Sequence, residues 1–278
     1  GNQQFTLLDK PQCLPIPLTD LPPNQARQLV YQMLGQEISM PATMEQHLGI
    51  RDREGRESAV NPLFIEEAVK VMFDTGILQV NERVQINESR LREMQVPDTI
   101  HGLLLARLDR LPTLSRDLLQ IAAVIGREFD LDTLATITPE MSRDQVVQIL
   151  GGLSDAELTQ LIAADPELKY LFQHAMTRQV AYESLTYARR RMLHALIADW
   201  IADRYADNLK PFYPVLAYHY SQTDIHEKGL AYALAAANDA RDLFANREAV
   251  ELYRLAENHL LALKDADQWM THADICLS

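Results

Sequence analysis

The chain has 278 residues, of which 47% are hydrophobic, and a formal net charge of −13. This length and composition predict a globular protein of about two domains and exclude a disordered chain. The acidic charge disfavours a general DNA-binding protein, because duplex DNA attracts proteins mainly through neutralisation of its phosphates.

The two cysteines, Cys13 and Cys276, lie far apart with no motif around either. This favours reduced thiols in a cytoplasmic protein over a disulfide framework. No apolar run approaches the roughly 20 residues of a membrane helix, so we expect no membrane partner. The chain begins without Met or a signal segment and stops inside an amphipathic pattern, so we expect a piece of a longer protein.

The elements begin with residues 11–23, which are too rich in proline for a helix and indicate an edge strand and a turn. The next segment, "NQARQLVYQMLG", predicts a short helix. Asn24 is its expected N-terminal cap, and Gly35 is its expected end.

A second helix is predicted over "NPLFIEEAVKVMFDTG". Asn61 is the expected cap, Pro62 suits the first helical position, and Gly76 closes the pattern. The pair Glu66 and Glu67 points in two directions on adjacent helical positions, so we expect it on the solvated surface.

A small hairpin is predicted next, over "ILQVNERVQI", with its turn at Asn81 and Glu82. Two more helices follow it. One begins at Pro97, and the other has Ser115 as its expected cap and Gly126 as its expected end.

From residue 128 to about 185 the pattern changes to short segments. "FDLDTLATI" and "SRDQVVQILGGL" favour short helices, and "LIAAD" with "ELKYLFQ" favours a two-stranded ribbon. Together with the preceding helix that ends at Gly126, these segments make three helices followed by a ribbon. This order is typical of a winged-helix module.

After Tyr187 every pattern is helical. "GLAYALAAANDARDLFANREAVELYRLAENHLLAL" predicts an alanine-rich helical pair, in which small residues let the two helices approach closely. Such pairs are typical of tetratricopeptide-type repeats.

No catalytic motif is present. The chain has no G-x-x-x-x-G-K-[ST] phosphate loop, no short-spaced histidines of a zinc site and no serine or cysteine nucleophile motif. We therefore expect no catalytic residue and no metal site, and we do not expect an enzyme in this chain alone.

The clearest candidate site is the corner in "LKYLFQHAMTRQV", where the strand alternation of Leu168, Tyr170 and Phe172 changes to a helix pattern. A helix beginning near His174 would present free backbone N–H groups, and Arg178 would lie on the same face. These features suit an anion such as phosphate. The alternative is that His174 caps the helix and Arg178 pairs with a carboxylate.

A second candidate is the densest basic cluster, Arg189, Arg190 and Arg191. On a winged helix this cluster could contact nucleic acid or an acidic neighbouring domain. The alternative is a solvated helix face.

"FQHAMTRQVAYESL", followed by "ARRRMLHALIADW", resembles a run in signal-transduction ATPases with numerous domains, the AAA+-related STAND class. The resemblance is to the ATPase modules joined to bacterial adenylate/guanylate cyclases and to large transcriptional activators. Four more segments agree in order: "IPLTDLPPNQARQLVYQMLG", "NPLFIEEAVKVM", "VPDTIHGLLLARLDRLP" and "LLQIAAVIGREFDLDTL". Together they cover about residues 14–263.

The resemblance implies a mainly α fold with a few short strands: a helical lid, a winged-helix module and the start of a tetratricopeptide-like α-solenoid. Residues 1–22 would be the last strand of the nucleotide-binding core and a linker, and residues 23–95 the lid with its small hairpin. Residues 96–186 would be the winged helix, and residues 187–278 a helical region leading into truncated repeats.

The resemblance also implies nucleotide contacts that require a P-loop core outside this chain. Pro62 matches the lid proline that packs near adenine, although Val60 replaces the glycine of the family's G-N-P segment. His174 matches the histidine that reaches the ADP β-phosphate, and Arg178 would add charge to the same pocket. ATP or ADP is thus expected in the full-length protein, and no cofactor is expected on this chain alone.

Three functions follow as hypotheses. The first is the regulatory part of an ATP/ADP-dependent signalling switch, linked to a cyclase, whose partners are its own P-loop core and output domain. The second is a DNA-binding winged helix of a transcriptional activator, although the acidic charge makes nucleic acid an unexpected partner. The third is a helical-repeat scaffold that binds protein ligands on its repeats.

Overall fold

A computed structural model describes residues 19–81, 83–94, 97, 99–164 and 168–263. These ranges are mainly helical, with five short strands that all pair antiparallel, which confirms the mainly α prediction. Most of the strand and turn predicted at residues 11–23 lies outside the described residues, as do both cysteines.

The helices are α1 (Pro23–Leu34), α2 (Ala42–His47), α3 (Pro62–Asp74), α4 (Glu88–Glu93), α5 (Ile100–Asp109), α6 (Thr113–Ile125), α7 (Leu131–Ile137), α8 (Arg143–Asp155), α9 (Ala175–Glu183), α10 (Tyr187–Arg204), α11 (Tyr213–Ser221), α12 (His226–Asp242) and α13 (Asn246–Ala262). The strands are β1 (Leu78–Val80), β2 (Val84–Ile86), β3 (Glu128–Asp130), β4 (Thr159–Ala163) and β5 (Lys169–Phe172). Two single 3-10 turns, Ala206–Asn208 and Lys210–Phe212, precede α11. Within the described ranges, no helix has the length and apolar character that crossing a membrane would require.

The chain divides into two compact units, one up to Arg107 and one from Leu108 onward, and the division falls within α5. The second unit includes both the sheet of β3, β4 and β5 and the C-terminal helices. The boundaries expected after residues 95 and 186 stay predictions.

The first unit is built on an apolar core between helices and the hairpin of β1 and β2. α1 packs against α3, and the chain on either side is joined by a two-bond bridge between Leu21 and Val60, with N···O distances of 2.9 and 3.0 Å. The hairpin predicted around Asn81 and Glu82 is present, although Glu82 lies outside the described residues. The apolar core of the first unit includes Ala26, Val30, Met44, Leu48, Ile50, Ile65, Ala68, Val69, Met72, Leu78, Leu91 and Leu103.

The start of α3 follows the sequence prediction. The Asn61 side chain accepts a hydrogen bond of 3.0 Å from the Leu63 N–H, and Pro62 occupies the first turn. Gly76 closes the helix with a φ of 67°, the left-handed conformation that glycine adopts without steric cost.

The two other predicted caps, Asn24 and Ser115, are wrong. α1 begins at Pro23 with Pro22 as its cap residue, and α6 begins at Thr113 with Pro112 as its cap residue. Because a proline presets the backbone for a helix start, each helix begins before the polar residue that the pattern favoured.

The expectation that Glu66 and Glu67 are both solvated is wrong for Glu67. Its side chain is only 1% exposed, and its carboxylate accepts a hydrogen bond of 2.7 Å from the guanidinium of Arg107. Lys70 lies 3.3 Å from the other carboxylate oxygen. The buried charge is retained because both cations compensate it.

A second ionic cluster in this unit joins α1, α2 and the loop after α2. Glu45 accepts from Arg27 at 2.7 Å and from Arg51, and Arg27 also donates to Glu57 at 2.7 Å. The hydrogen bond from Arg27 lowers the pKa of Glu45, and Arg51 adds to this effect against the opposing effect of burial.

In the second unit, β5 is the central strand of a three-stranded sheet of order β3-β5-β4. The predicted two-stranded ribbon of β4 and β5 is present, but β3 adds a third strand, in which Phe129 pairs with Tyr170. The rings of Phe129 and Tyr170 stack with centroids 5.9 Å apart, and Phe172 is fully buried. The predicted alternation along β5 is therefore confirmed.

The C-terminal helices contact each other in succession from α10 to α13, and α10 also contacts α6 and α7. The predicted alanine-rich pair is α12 and α13, where Ala233, Ala237 and Ala256 are fully buried. Gly229 of α12 packs so closely on the His259 ring of α13 that an added Cβ would lie 2.3 Å from it. Small residues thus set the spacing of this pair.

Candidate functional site

His174 lies at the corner that the sequence pattern indicated. It follows β5 by two residues and is the cap residue of α9, with extended backbone angles of φ −126° and ψ 140°. His174 is therefore the cap residue of α9, as the alternative interpretation expected, although its half-buried side chain makes no capping hydrogen bond. The first turn of α9 has no acidic residue.

Arg178 lies one turn into α9 and is half-buried. Its Nε donates a hydrogen bond of 2.9 Å to the carbonyl of Ala123, in the last turn of α6. The partner is a helix carbonyl and not the carboxylate of the alternative interpretation. The positive charge of Arg178 interacts favourably with the C-terminal end of α6, and the hydrogen bond joins α9 to α6.

A buried histidine pair that contacts α9 was missed by sequence reasoning. Nδ1 of His194 lies 2.9 Å from Nδ1 of His219, and Nε2 of His194 lies 3.1 Å from the Tyr182 hydroxyl. The contact chain runs from α9 through α10 to α11. In the sequence, His194 lies in the apolar stripe of α10 with Ile197 and Ile201, and this position was the only indication that it is buried. Its partner His219 lies 25 residues away, so no local pattern indicates the contact.

Burial, with the positive charges nearby, acts against protonation of this pair. Burial lowers the pKa of His194 to about 4, with smaller contributions from the positive charges of Arg178 and Arg190. Burial, the neighbouring His194 and Arg178 lower the pKa of His219 to about 3. Both imidazoles are therefore neutral at pH 7 and hold helices together without reaching solvent.

The basic cluster at the start of α10 is largely engaged within the chain. Arg190 donates to the carbonyls of Leu185 at 3.1 Å and Glu183 at 2.7 Å, and its guanidinium lies 4.7 Å from the centre of the Tyr182 ring. Arg191 pairs with Asp224. Arg189 is the exposed member of the cluster.

Pro62 lies in the first turn of α3, as a helix proline does. A cavity of about 580 Å³ in the first unit is lined by Arg51, Arg53, Ser58 and Phe64 among others. Pro62 itself does not line this cavity.

The described residues contain no group of three or more His, Cys, Asp or Glu side chains that could hold a metal ion. α9 therefore carries the half-buried His174 at its start, Arg178 bonded to α6 one turn later, and Tyr182 in contact with the neutral histidine pair near its end. Comparison with known families finds no family model that matches the chain, and comparison with curated proteins finds no match either.

Proposed function

We propose that the chain is the regulatory part of a multidomain ATP/ADP-dependent signalling switch, linked to a cyclase, whose P-loop core belongs to the same full-length protein. Residues 23–95 act as the lid, residues 96–186 contain the winged helix, and residues 187–278 lead into the first tetratricopeptide-like repeats. The sequence resemblance to STAND-class ATPases motivates this assignment.

Support for the winged helix comes from the order of elements. α6, β3, α7, α8, β4 and β5 follow each other along the chain, and the strands lie in the order β3-β5-β4. A helix, a short strand, two helices and a two-stranded wing are the elements of this module. The third strand was not predicted from the sequence, so its presence is an independent point in favour.

The observation that carries the proposal is the position of His174. It stands between the last wing strand and α9, and its ring makes no capping bond to its own helix. A ring in this position is suited to donate to a phosphate oxygen of ADP held by the core. Arg178 adds positive charge beside it, while its bond to Ala123 holds α9 on α6.

In this proposal, ADP favours a closed state in which His174 contacts the β-phosphate. Exchange for ATP removes that contact and releases the helices that follow α9, which alters the output domain. The two nucleotides shift the equilibrium only as far as their affinities for the two states differ.

The experiment uses the full-length protein, purified as wild type and as His174→Ala. We expect the variant to lose most of its retained ADP and to exchange nucleotide faster, as measured by chromatography of released nucleotide and by displacement of a fluorescent ADP analogue. Gln173→Ala, at the exposed neighbouring position, is the matched control and should retain ADP. Unchanged ADP retention in His174→Ala would instead favour the helical-repeat scaffold.

The DNA-binding alternative has less support from the side chains. Arg190 and Arg191 are engaged within the chain, and on α8, the third helix of the module, Arg143 pairs with Asp132. The alternative predicts DNA binding that weakens with salt and on neutralising Arg189, Arg190 and Arg191. We expect no such binding by fluorescence anisotropy at low salt.

The proposal also concerns the chain by itself. Since the P-loop core is expected to supply the phosphate and magnesium contacts, the 278 residues alone should bind ATP weakly or not at all. Isothermal titration calorimetry with Mg-ATP tests this, and tight magnesium-dependent binding would contradict the proposal.

A further inference from the structure

α9 is hydrogen-bonded to α6 through one of its side chains and to α10 through another. Toward α6, Arg178 donates to the Ala123 carbonyl at 2.9 Å. Toward α10, the Tyr182 hydroxyl lies 3.1 Å from Nε2 of His194. Because both side chains belong to the same short helix, a displacement of α9 from α6 also moves Tyr182 relative to His194.

The contact of Tyr182 continues from α10 into α11. Nδ1 of His194 lies 2.9 Å from Nδ1 of His219. His194 is fully buried and His219 is 1% exposed, so neither ring can exchange its partner for water. Tyr182, His194 and His219 are called the Tyr182–His219 network below. This network joins α9, α10 and α11 by polar contacts.

The two contacts of His194 depend on each other. Both imidazoles are neutral at pH 7, so each ring has one nitrogen that donates and one that accepts. When Nδ1 of His194 donates to His219, its Nε2 accepts from the Tyr182 hydroxyl, and when His219 donates, both roles of His194 are exchanged. In either order, loss of Tyr182 leaves Nε2 of His194 buried without its partner, which is costly unless the ring turns or α10 shifts on α11.

We propose that the Tyr182–His219 network is the conformational link through which a displacement of α9 reaches α11. The event that displaces α9, the loss of the His174 contact, rests on the proposed function, whereas the link is a property of this chain. Hydrogen bonds are directional, so the network fixes how the three helices are turned toward one another. Burying these polar side chains costs desolvation that apolar residues would avoid, and the gain is a defined position of each helix.

A second route from α6 to the C-terminal helices exists. α6 and α7 contact α10 directly, so a displacement could also spread by packing alone. Transmission by packing does not depend on the hydroxyl group of Tyr182, whereas transmission by the network does. Removing that one oxygen atom therefore separates the two routes.

The test is a double-variant cycle, measured by hydrogen exchange of the 278-residue chain at pH 7.5. Arg178→Ala frees α9 from α6 and should raise the exchange rates of α11 amides about fivefold. In a Tyr182→Phe background, the same change should raise them less than about twofold, because the link is already broken. A purely structural role of Tyr182 would give the same ratio in both backgrounds.

Tyr218→Phe is the matched control. It removes an exposed hydroxyl of α11 from a ring that lies 5.7 Å from the His194 ring, and it should leave the response to Arg178→Ala unchanged. Burial is the main cause of the low pKa of both histidines, so they stay neutral at pH 7.5 without the charge of Arg178.

Two further measurements guard against loss of structure. Amides of α13 are the internal reference, since a general loss of stability would raise their exchange as well. If Arg178→Ala unfolds α9, Gln120→Ala is the milder change, because it removes only the bond of 2.8 Å from Gln120 of α6 to the Ser184 hydroxyl that follows α9.

An equal response of α11 to Arg178→Ala with and without the Tyr182 hydroxyl would overturn the proposal. A response of α11 no larger than that of α13 would overturn it as well. Retention of ADP by the full-length protein separates this inference from the proposed function. Tyr182→Phe should retain ADP, because it leaves His174 in place. A non-additive cycle together with unchanged ADP retention in His174→Ala would support the link and contradict the proposed function, and the reverse result would contradict the link alone.

Discussion

Nδ1 of His194 lies 2.9 Å from Nδ1 of His219, and this contact joins α10 to α11 in the interior of the second unit. At this distance the Nδ1–H of one imidazole donates to the Nδ1 of the other, so a single proton lies between the two nitrogens. A further proton would leave a charge buried beside Arg178 and Arg190. The pair therefore links the stability of these helices to pH.

The first prediction concerns that link. The folded-state pKa values of His194 and His219, about 4 and about 3, lie below the value of about 6.5 in an unfolded chain. Below pH 6.5 the unfolded state binds more protons, so the stability present above pH 6.5 is lost as the pH falls. Urea unfolding followed by circular dichroism should show a loss of about 1.5 kcal/mol per histidine between pH 6.5 and pH 5.

The double variant His194→Leu, His219→Leu provides the control for this measurement. Without the two imidazoles, the free energy of unfolding should fall less steeply between pH 6.5 and pH 5. An equally steep fall in wild type and double variant would show that other groups, such as His259, govern the pH dependence.

The second prediction concerns the buried ion pair of Glu67 and Arg107. Glu67→Gln removes the buried negative charge that Arg107 and Lys70 both contact, and removing one member of a buried ion pair costs about 3–5 kcal/mol. The neighbouring Glu66→Gln, at a half-buried position, should change stability by less than about 1 kcal/mol. Thermal and urea unfolding of both variants measures the difference, and equal effects would contradict the assigned pair.

The third prediction compares two glycines in helices. Gly229→Ala should destabilise the chain by about 1–3 kcal/mol, because its Cβ would overlap the His259 ring and force α12 and α13 apart. Gly151→Ala in α8 meets no atom within 4 Å and should stabilise the chain by about 0.5–1 kcal/mol. Differential scanning calorimetry should show melting temperatures that move in opposite directions. If both rose, the close contact of Gly229 with His259 would be wrong.

The fourth prediction concerns Asp199, which joins α10, α11 and α12. Its Oδ1 accepts hydrogen bonds of 2.7 Å from both the Tyr220 hydroxyl and Lys228 Nζ. These two bonds outweigh burial and lower the pKa of Asp199. Asp199→Asn should cost about 1 kcal/mol in urea unfolding, and Asp203→Asn, one turn later at an exposed position, should cost almost nothing. Equal costs would mean that the shared acceptor contributes no stability.

The sequence by itself determined the features that depend on neighbours along the chain. The helix start at Asn61 and Pro62, the alternation along β5, the corner at His174 and the alanine-rich pair of α12 and α13 were all predicted and are present. Caps, strand alternation and helix faces are short-range patterns, so they are visible without the fold. The same local rules failed at Asn24 and Ser115, where nearby prolines start the helices earlier.

Only the tertiary structure decided which distant side chains meet. Glu67 becomes buried because Arg107, 40 residues away, compensates its charge, and Arg178 reaches a carbonyl 55 residues away. β3 has three residues, too few for a periodic pattern, and only its pairing with β5 makes it a strand. His194 and His219 are ordinary helical residues until α10 and α11 pack together. Contacts of this kind depend on the free energy of burying whole elements against one another, which no local pattern records.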